Sequence, residues 1–230
     1  MHVTYRMHLS LNNFPCVGPA RIAQECPAVT YERITGTPFA IDESFNTVFL
    51  VLPRIDLQGQ ELDELSAFVQ SGRQRRLVLV GEYSQVPIGF ASYNAALNDV
   101  AEHLGIGTRF MTTASVTYDN GLDHNRLCAV NASHYLMGGV IGLWDAATDP
   151  FADGWASYAE PLAYTHDDPT PQDPNDPNPP WAVEEDTATA GSRILIHDAS
   201  IVTEQYGYDD DTVPDKNFQF LHNLCAIFPE

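Results

Sequence analysis

The sequence predicts an α/β fold with a mostly parallel sheet covered on both faces. Three short apolar runs carry this expectation: TVFLVL at residues 47–52, LVLV at 77–80 and RILIH at 193–197. A strand buried on both faces reads as such a continuous run, whereas a strand with one wet face alternates. Between the first two runs Leu62, Leu65, Phe68 and Val69 recur at helical spacing. Strand, helix, strand at this distance is a crossover between parallel neighbours.

The remaining elements follow in order. Residues 3–11 are β-prone and read as a strand. Pro19 opens a short helical run with Ile22, Ala23 and Cys26 on one face. Residues 29–34 alternate as a second strand. Pro53 ends the first apolar run, and Gly72 falls where a helix C-cap is expected. A second helix has Asn94 as its cap, Leu97, Val100, Ala101 and Leu104 on one face, and Gly105 at its end. Residues 110–144 are strand-like and turn-rich, with glycines at bends. Residues 165–180 (THDDPTPQDPNDPNPP) cannot form a core and read as an extended acidic loop. A second acidic loop spans 208–215. The chain closes with a helix whose face is Phe218, Leu221, Leu224, Cys225 and Phe228. No internal repeat is visible. The expectation is one domain over residues 1–230, with 106–190 as an insertion or excursion.

Composition narrows the partners. Of 230 residues, 44% are hydrophobic and 10% aromatic, enough for a core and too many for a disordered chain. No apolar run approaches membrane-spanning length, so membrane insertion is not expected. Lys and Arg total 11 against 31 Asp and Glu, a formal net charge of −20, and Lys216 is the single lysine. That balance disfavours nucleic acid and anionic lipid, and suits cations or basic partners. It also reads as a soluble acidic surface. The four cysteines, Cys16, Cys26, Cys128 and Cys225, form no CxxC pair. Cys128 and Cys225 read as buried thiols, and Cys16 and Cys26 are close enough in sequence to leave a disulfide open. MHVTYRMHLS lacks the apolar stretch of a secretion leader, which leaves a cytosolic protein or a trimmed N-terminus.

Three segments carry a family resemblance: residues 45–82 (FNTVFLVLPRIDLQGQELDELSAFVQSGRQRRLVLVGE), the helix NAALNDVAEHLGI, and SRILIHDASIVTEQ with the closing helix. The last contains an N-x-x-F-x-x-N pattern at Asn217, Phe220 and Asn223. The order of these pieces resembles the class I glutamine amidotransferase-like superfamily, which includes DJ-1/PfpI, ThuA-like, gliding-motility and intraflagellar-transport domains. The resemblance implies a three-layer flavodoxin-like sandwich with a strand-rich and Asp/Pro-rich insertion. In catalytic members a cysteine nucleophile stands on the tight turn after a sheet strand. Here that turn is Gly81, Glu82, Tyr83 and Ser84, with no cysteine. The resemblance therefore implies a non-catalytic or repurposed relative.

Several constellations could carry chemistry. Open parallel sheets bind ligands at the carboxyl ends of their strands. Those ends offer Arg54 for an anion, Glu82 or Asp198 as a base, and His197 as an acid or ligand, with Ser84 and Ser200 close behind. The same residues also read as loop caps and strand-end filling. Asp167, Asp168, Asp173 and Asp176 crowd one loop, and Asp209, Asp210, Asp211 and Asp215 another, as a calcium site would need. The EF-hand pattern is absent, and a solvated loop is the alternative. His124, His134 and His166 lack zinc-site spacing and read as exposed or hydrogen-bonded residues. Asn131-Ala132-Ser133 is a formal glycosylation sequon. Trp144, Trp155, Tyr158, Tyr164 and Trp181 flank the acidic loop, either as a carbohydrate or protein surface or as the insertion's own core.

The leading expectation is a non-catalytic binding or assembly module needing no cofactor. It would have a protein or carbohydrate partner, could form a homo-oligomer, and fits the extracellular space or cell surface better than the cytoplasm. The alternatives are a hydrolase using Glu82, His197 and Asp198, and a calcium-stabilised surface protein.

Overall fold

The computed structural model describes residues 2–7, 30–33, 39–51, 53, 57, 59–82, 91–113, 118–119, 126–128, 130–140, 143–145, 147–148, 151–152, 154–164, 180–186, 189–197, 201 and 217–225. The expected helix after Pro19 lies outside them, as do Cys16 and Cys26. The strands are β1 His2–Met7, β2 Thr30–Arg33, β3 Thr47–Val51 and β4 Arg76–Val80. After them come β5 Tyr118–Asp119, β6 Arg126–Cys128, β7 Leu143–Asp145 and β8 Ala147–Thr148. The last three are β9 Glu160–Tyr164, β10 Pro180–Glu185 and β11 Ser192–Ile196. Three α-helices are described: α1 Gly59–Gln70, α2 Ala91–His103 and α3 Phe218–Cys225.

Seven strands form one mixed sheet in the order β2-β1-β3-β4-β11-β10-β9. The first five are parallel to one another, and β10 runs antiparallel to both β11 and β9. The short strands pair separately, β5 with β8 and β6 with β7. Two strands from the 106–190 region thus extend the main sheet.

The apolar runs behave as their composition requires. Leu77, Val78, Leu79 and Val80 are fully buried, as are Ile194, Leu195 and Ile196. Successive strand residues point to opposite faces, and two cores result. Val78, Val80, Ile194 and Ile196 meet Phe220, Leu221 and Leu224 of α3 on one face. Leu77, Leu79 and Leu195 meet Leu65, Phe68 and Val69 of α1 and Leu97, Val100 and Ala101 of α2 on the other. The chain is therefore an α/β protein in which both faces of the central strands β3, β4 and β11 are covered.

Helix ends are settled by local hydrogen bonds. Gly105 has a φ of 67°. Its N–H donates to the Glu102 carbonyl and that of Ile106 to the Ala101 carbonyl, which is a Schellman closure. Gly72 does not take that conformation. The end of α1 is closed instead by Ser71, whose N–H and hydroxyl both donate to the Phe68 carbonyl. The C-terminal carbonyls of α3 are met from the sheet: Leu224 O accepts from Thr47 Oγ1 and Arg76 Nη1, each at 3.0 Å. A cation there also opposes the negative end of the helix dipole.

Replacing Gly105 with alanine puts a side chain into the left-handed region with open space around it. The expected cost is about 1–2 kcal/mol, read as a lower urea midpoint with unchanged m-value.

Candidate functional site

The carboxyl ends of β4 and β11 are joined by the Gly81 N–H, which donates to the Ile196 carbonyl at 2.8 Å. That bond brings Glu82 and His197 to one end of the sheet. Arg54, Ser84, Asp198, Ser200 and all eight aspartates of the acidic loops lie outside the described residues. Glu82 is 5% exposed and His197 is fully buried. The His197 ring stacks on Phe151 at 5.5 Å and meets Phe110 edge-on at 5.2 Å.

Asn94 organises this end. It lies in the first turn of α2 and does not cap it, because its side chain reaches across to the sheet. Its Oδ1 accepts from the Glu82 N–H at 3.1 Å. Its Nδ2 donates to the carbonyls of Glu82, at 2.6 Å, and Met111, at 2.8 Å. The same nitrogen lies 3.1 Å from His197 Nε2. An amide NH2 carries two hydrogens, and the two carbonyls account for both, so the His197 ring nitrogen is a close polar neighbour of this network. Gly81 makes the approach feasible: a Cβ there would come within 2.6 Å of Asn94 Oδ1 and 2.8 Å of the Phe110 ring.

A second buried polar cluster was not anticipated from the sequence. The short 3-10 turn Tyr135–Met137 projects from a segment lying beside β9. His134 Nε2 donates to Glu184 at 2.9 Å, and the Tyr135 hydroxyl donates to the other carboxylate oxygen at 2.5 Å. His134 Nδ1 accepts from the Leu136 N–H at 3.2 Å, so the ring presents its Nε2 hydrogen to Glu184. His134 is thus hydrogen-bonded and buried, one of the two expected states. Burial by itself would raise the Glu184 carboxyl, but hydrogen bonds from His134 and Tyr135 outweigh it and hold the group below its ordinary value of 4.5. Burial, then the Glu184 charge, push the Tyr135 phenol well above the usual tyrosine range. Ser192 is 4% exposed, and its hydroxyl adjoins both groups without a well-formed hydrogen bond.

Glu185 faces the other side of the sheet. Its carboxylate accepts the N–H groups of Gly107, at 3.1 Å, and Thr108, at 2.6 Å, and so ties the loop after α2 to β10. The one available sequence signal was the acidic pair at the end of the apolar run WAV, where a solvated strand end is the simpler reading.

The aromatic residues divide. Trp181 is fully buried in the core under α3, with Nε1 donating to the Tyr164 carbonyl at 3.0 Å. Trp155 packs partly against the opposite core. Tyr158 is 60% exposed, with its ring over Gly107. Among the described residues no group of three or more His, Cys, Asp or Glu side chains gathers to hold a metal ion. No described helix is long and apolar enough to cross a membrane.

Two substitutions test this description. Asn94→Ala strands the Glu82 and Met111 backbone groups and should cost about 2–3 kcal/mol in chemical denaturation. Glu184→Gln should cost about 2 kcal/mol at neutral pH. The Glu184 contribution is full above pH 4.5 and is lost as pH falls through its lowered native value. The stability difference between wild type and Glu184→Gln should therefore shrink on acidification below pH 4.5, and a difference that grew would contradict the assignment.

No family model matches the chain, and no curated protein matches it in sequence. Solved structures do. The mmIFT52 N-terminal domain superimposes with a TM-score of 0.58 at 9% identity, covering 90% of each chain. A putative ThuA-like protein from Parabacteroides merdae ATCC 43184 gives a TM-score of 0.54 at 11% identity, over 97% of this chain and 88% of that one. At such identities the likeness is one of fold: the chain shares an α/β architecture with a ThuA-like protein and with the mmIFT52 N-terminal domain.

Proposed function

We propose that the chain is a non-catalytic binding or assembly module on a three-layer, flavodoxin-like sandwich of the class I glutamine amidotransferase-like type. Strand order supports the sandwich. Counting the parallel strands alone, β2-β1-β3-β4-β11 is the order 2-1-3-4-5, that of flavodoxin-like sheets. Two cores on opposite faces agree with it.

The burial of His197 carries the non-catalytic reading. A general acid or base must come within hydrogen-bond reach of the proton it moves. His197 is wholly inaccessible, clasped by Phe110 and Phe151, and its Nε2 lies 3.1 Å from the Asn94 amide nitrogen. Glu82, on the turn where catalytic relatives carry cysteine, is 5% exposed. Cys128 and Cys225 belong to β6 and α3, away from that turn in sequence. The partner would be recognised by charge. With a formal charge of −20, a basic protein surface is a better fit than nucleic acid or an anionic membrane. The half-exposed ring of Tyr135 and the exposed ring of Tyr158 offer apolar contact area, to protein or to sugar.

The decisive comparison is wild type against Glu82→Gln on chromogenic ester and amide substrates, with and without added calcium or zinc. The expected result is equal background rates in both proteins. A wild-type rate above background that drops at least about tenfold in Glu82→Gln would overturn the module reading in favour of a hydrolase using Glu82, His197 and Asp198.

A further inference from the structure

Residues 130–140 cross the outer edge of the sheet and are fastened along their length. At one end Val130 bridges Ala163 on the side of β9 that faces away from β10. The Asn131 N–H donates to the Leu162 carbonyl at 2.9 Å, and Asn131 Nδ2 to the Pro161 carbonyl at 3.1 Å. At the other end Asn223 Nδ2 donates to the carbonyls of Leu136, at 2.8 Å, and Gly138, at 2.9 Å. Leu136 and Met137 are buried in the core under α3. In the middle, His134 and Tyr135 both hang on the Glu184 carboxylate.

We propose that residues 130–135 form an acid-releasable strap hinged on the buried Leu136 and Met137: protonation of Glu184 undoes the fastening through His134 and Tyr135, the segment lifts from β9, and the outer edge of the sheet is uncovered. Several elements packed around Glu184 present polar or charged groups. The turn presents His134 and Tyr135, β11 presents the uncharged Ser192, and β4 presents Arg76, whose positive field reaches Tyr135. From β9, Glu160 lies 4.0 Å from His134 Nε2 but is exposed and screened by water. The turn meets α3 through the neutral side chain of Asn223 and through Leu136 and Met137, which share a core with Phe220, Leu221 and Leu224. Once Glu184 is neutral, the charge-assisted acceptor for two donors is gone. A lifted strap leaves the β9 edge with unpaired backbone groups, the kind of edge that accepts a further strand. This inference does not depend on the non-catalytic reading.

Hydrogen exchange with intrinsic rates divided out tests it on the intact chain. Across a pH series from 7 down through the titration of the Glu184 carboxyl, followed by its carbon-13 shift, wild-type protection over 131–135 should fall at least about tenfold more than that of β3, β4 and β11. In Glu184→Gln the strap should already be less protected at pH 7 and change little on acidification. If Glu184→Gln does not fold, Tyr135→Phe serves. It removes one donor that holds the Glu184 carboxyl low, so release should begin at higher pH. Strap and sheet losing protection together, a strap still protected once Glu184 is protonated, or a Tyr135→Phe release at the wild-type pH would each overturn the proposal.

Discussion

Two-sided burial of β4 and β11 is the constraint on which the rest of the structure depends. Their apolar side chains are wholly inaccessible and alternate between faces. Each such side chain contributes roughly 1.5–3 kcal/mol when taken from water, so neither face can be left open. Helices α1 and α2 cover one face; α3 and the turn at 134–138 cover the other. A parallel sheet also forces each connection to return over a face before the next strand begins, which is why a helix follows β3 and another follows β4.

Covering the faces leaves the polar groups at element ends to be satisfied inside the protein. Each end of the sheet has its own answer. At the carboxyl ends Asn94 takes up the backbone of Glu82 and Met111 together with His197. At the amino ends Thr47 and Arg76 meet the last carbonyls of α3. On β10, Glu184 and Glu185 point to opposite faces and each binds a loop on its own side. Buried polar groups are retained where they are paired, and here each pair also fixes where a loop lies. The strand-end residues that resemble a hydrolytic set and the strap beside β9 are both products of that arrangement.

The Asn217, Phe220 and Asn223 pattern shows how a motif acquires a physical meaning. All three residues face inward, at 0%, 1% and 6% exposure. Phe220 fills the core, while Asn223 holds the 134–138 turn by two carbonyls. Asn94 shows the reverse. Its position near a helix start reads as a cap, and its side chain instead spans to the sheet.

The sequence by itself determined the central parallel strands, the helices between and after them, and the glycine closure of α2. These rest on periodicity and on backbone preferences acting over a few residues, so they are legible without the fold. The absence of a cysteine on the turn after β4 was equally legible. Tertiary structure alone decided that β9 and β10 extend the sheet, that Trp181 belongs to the main core, and that His197 is enclosed. It also decided that His134 and Tyr135 meet Glu184, a carboxylate 49 residues beyond Tyr135 in the chain, and that Asn94 meets His197 across 103 residues. Hydrophobic period records which face of an element is buried. It carries no record of which distant polar group will share that burial, because the pairing is fixed only when the whole sheet has been ordered.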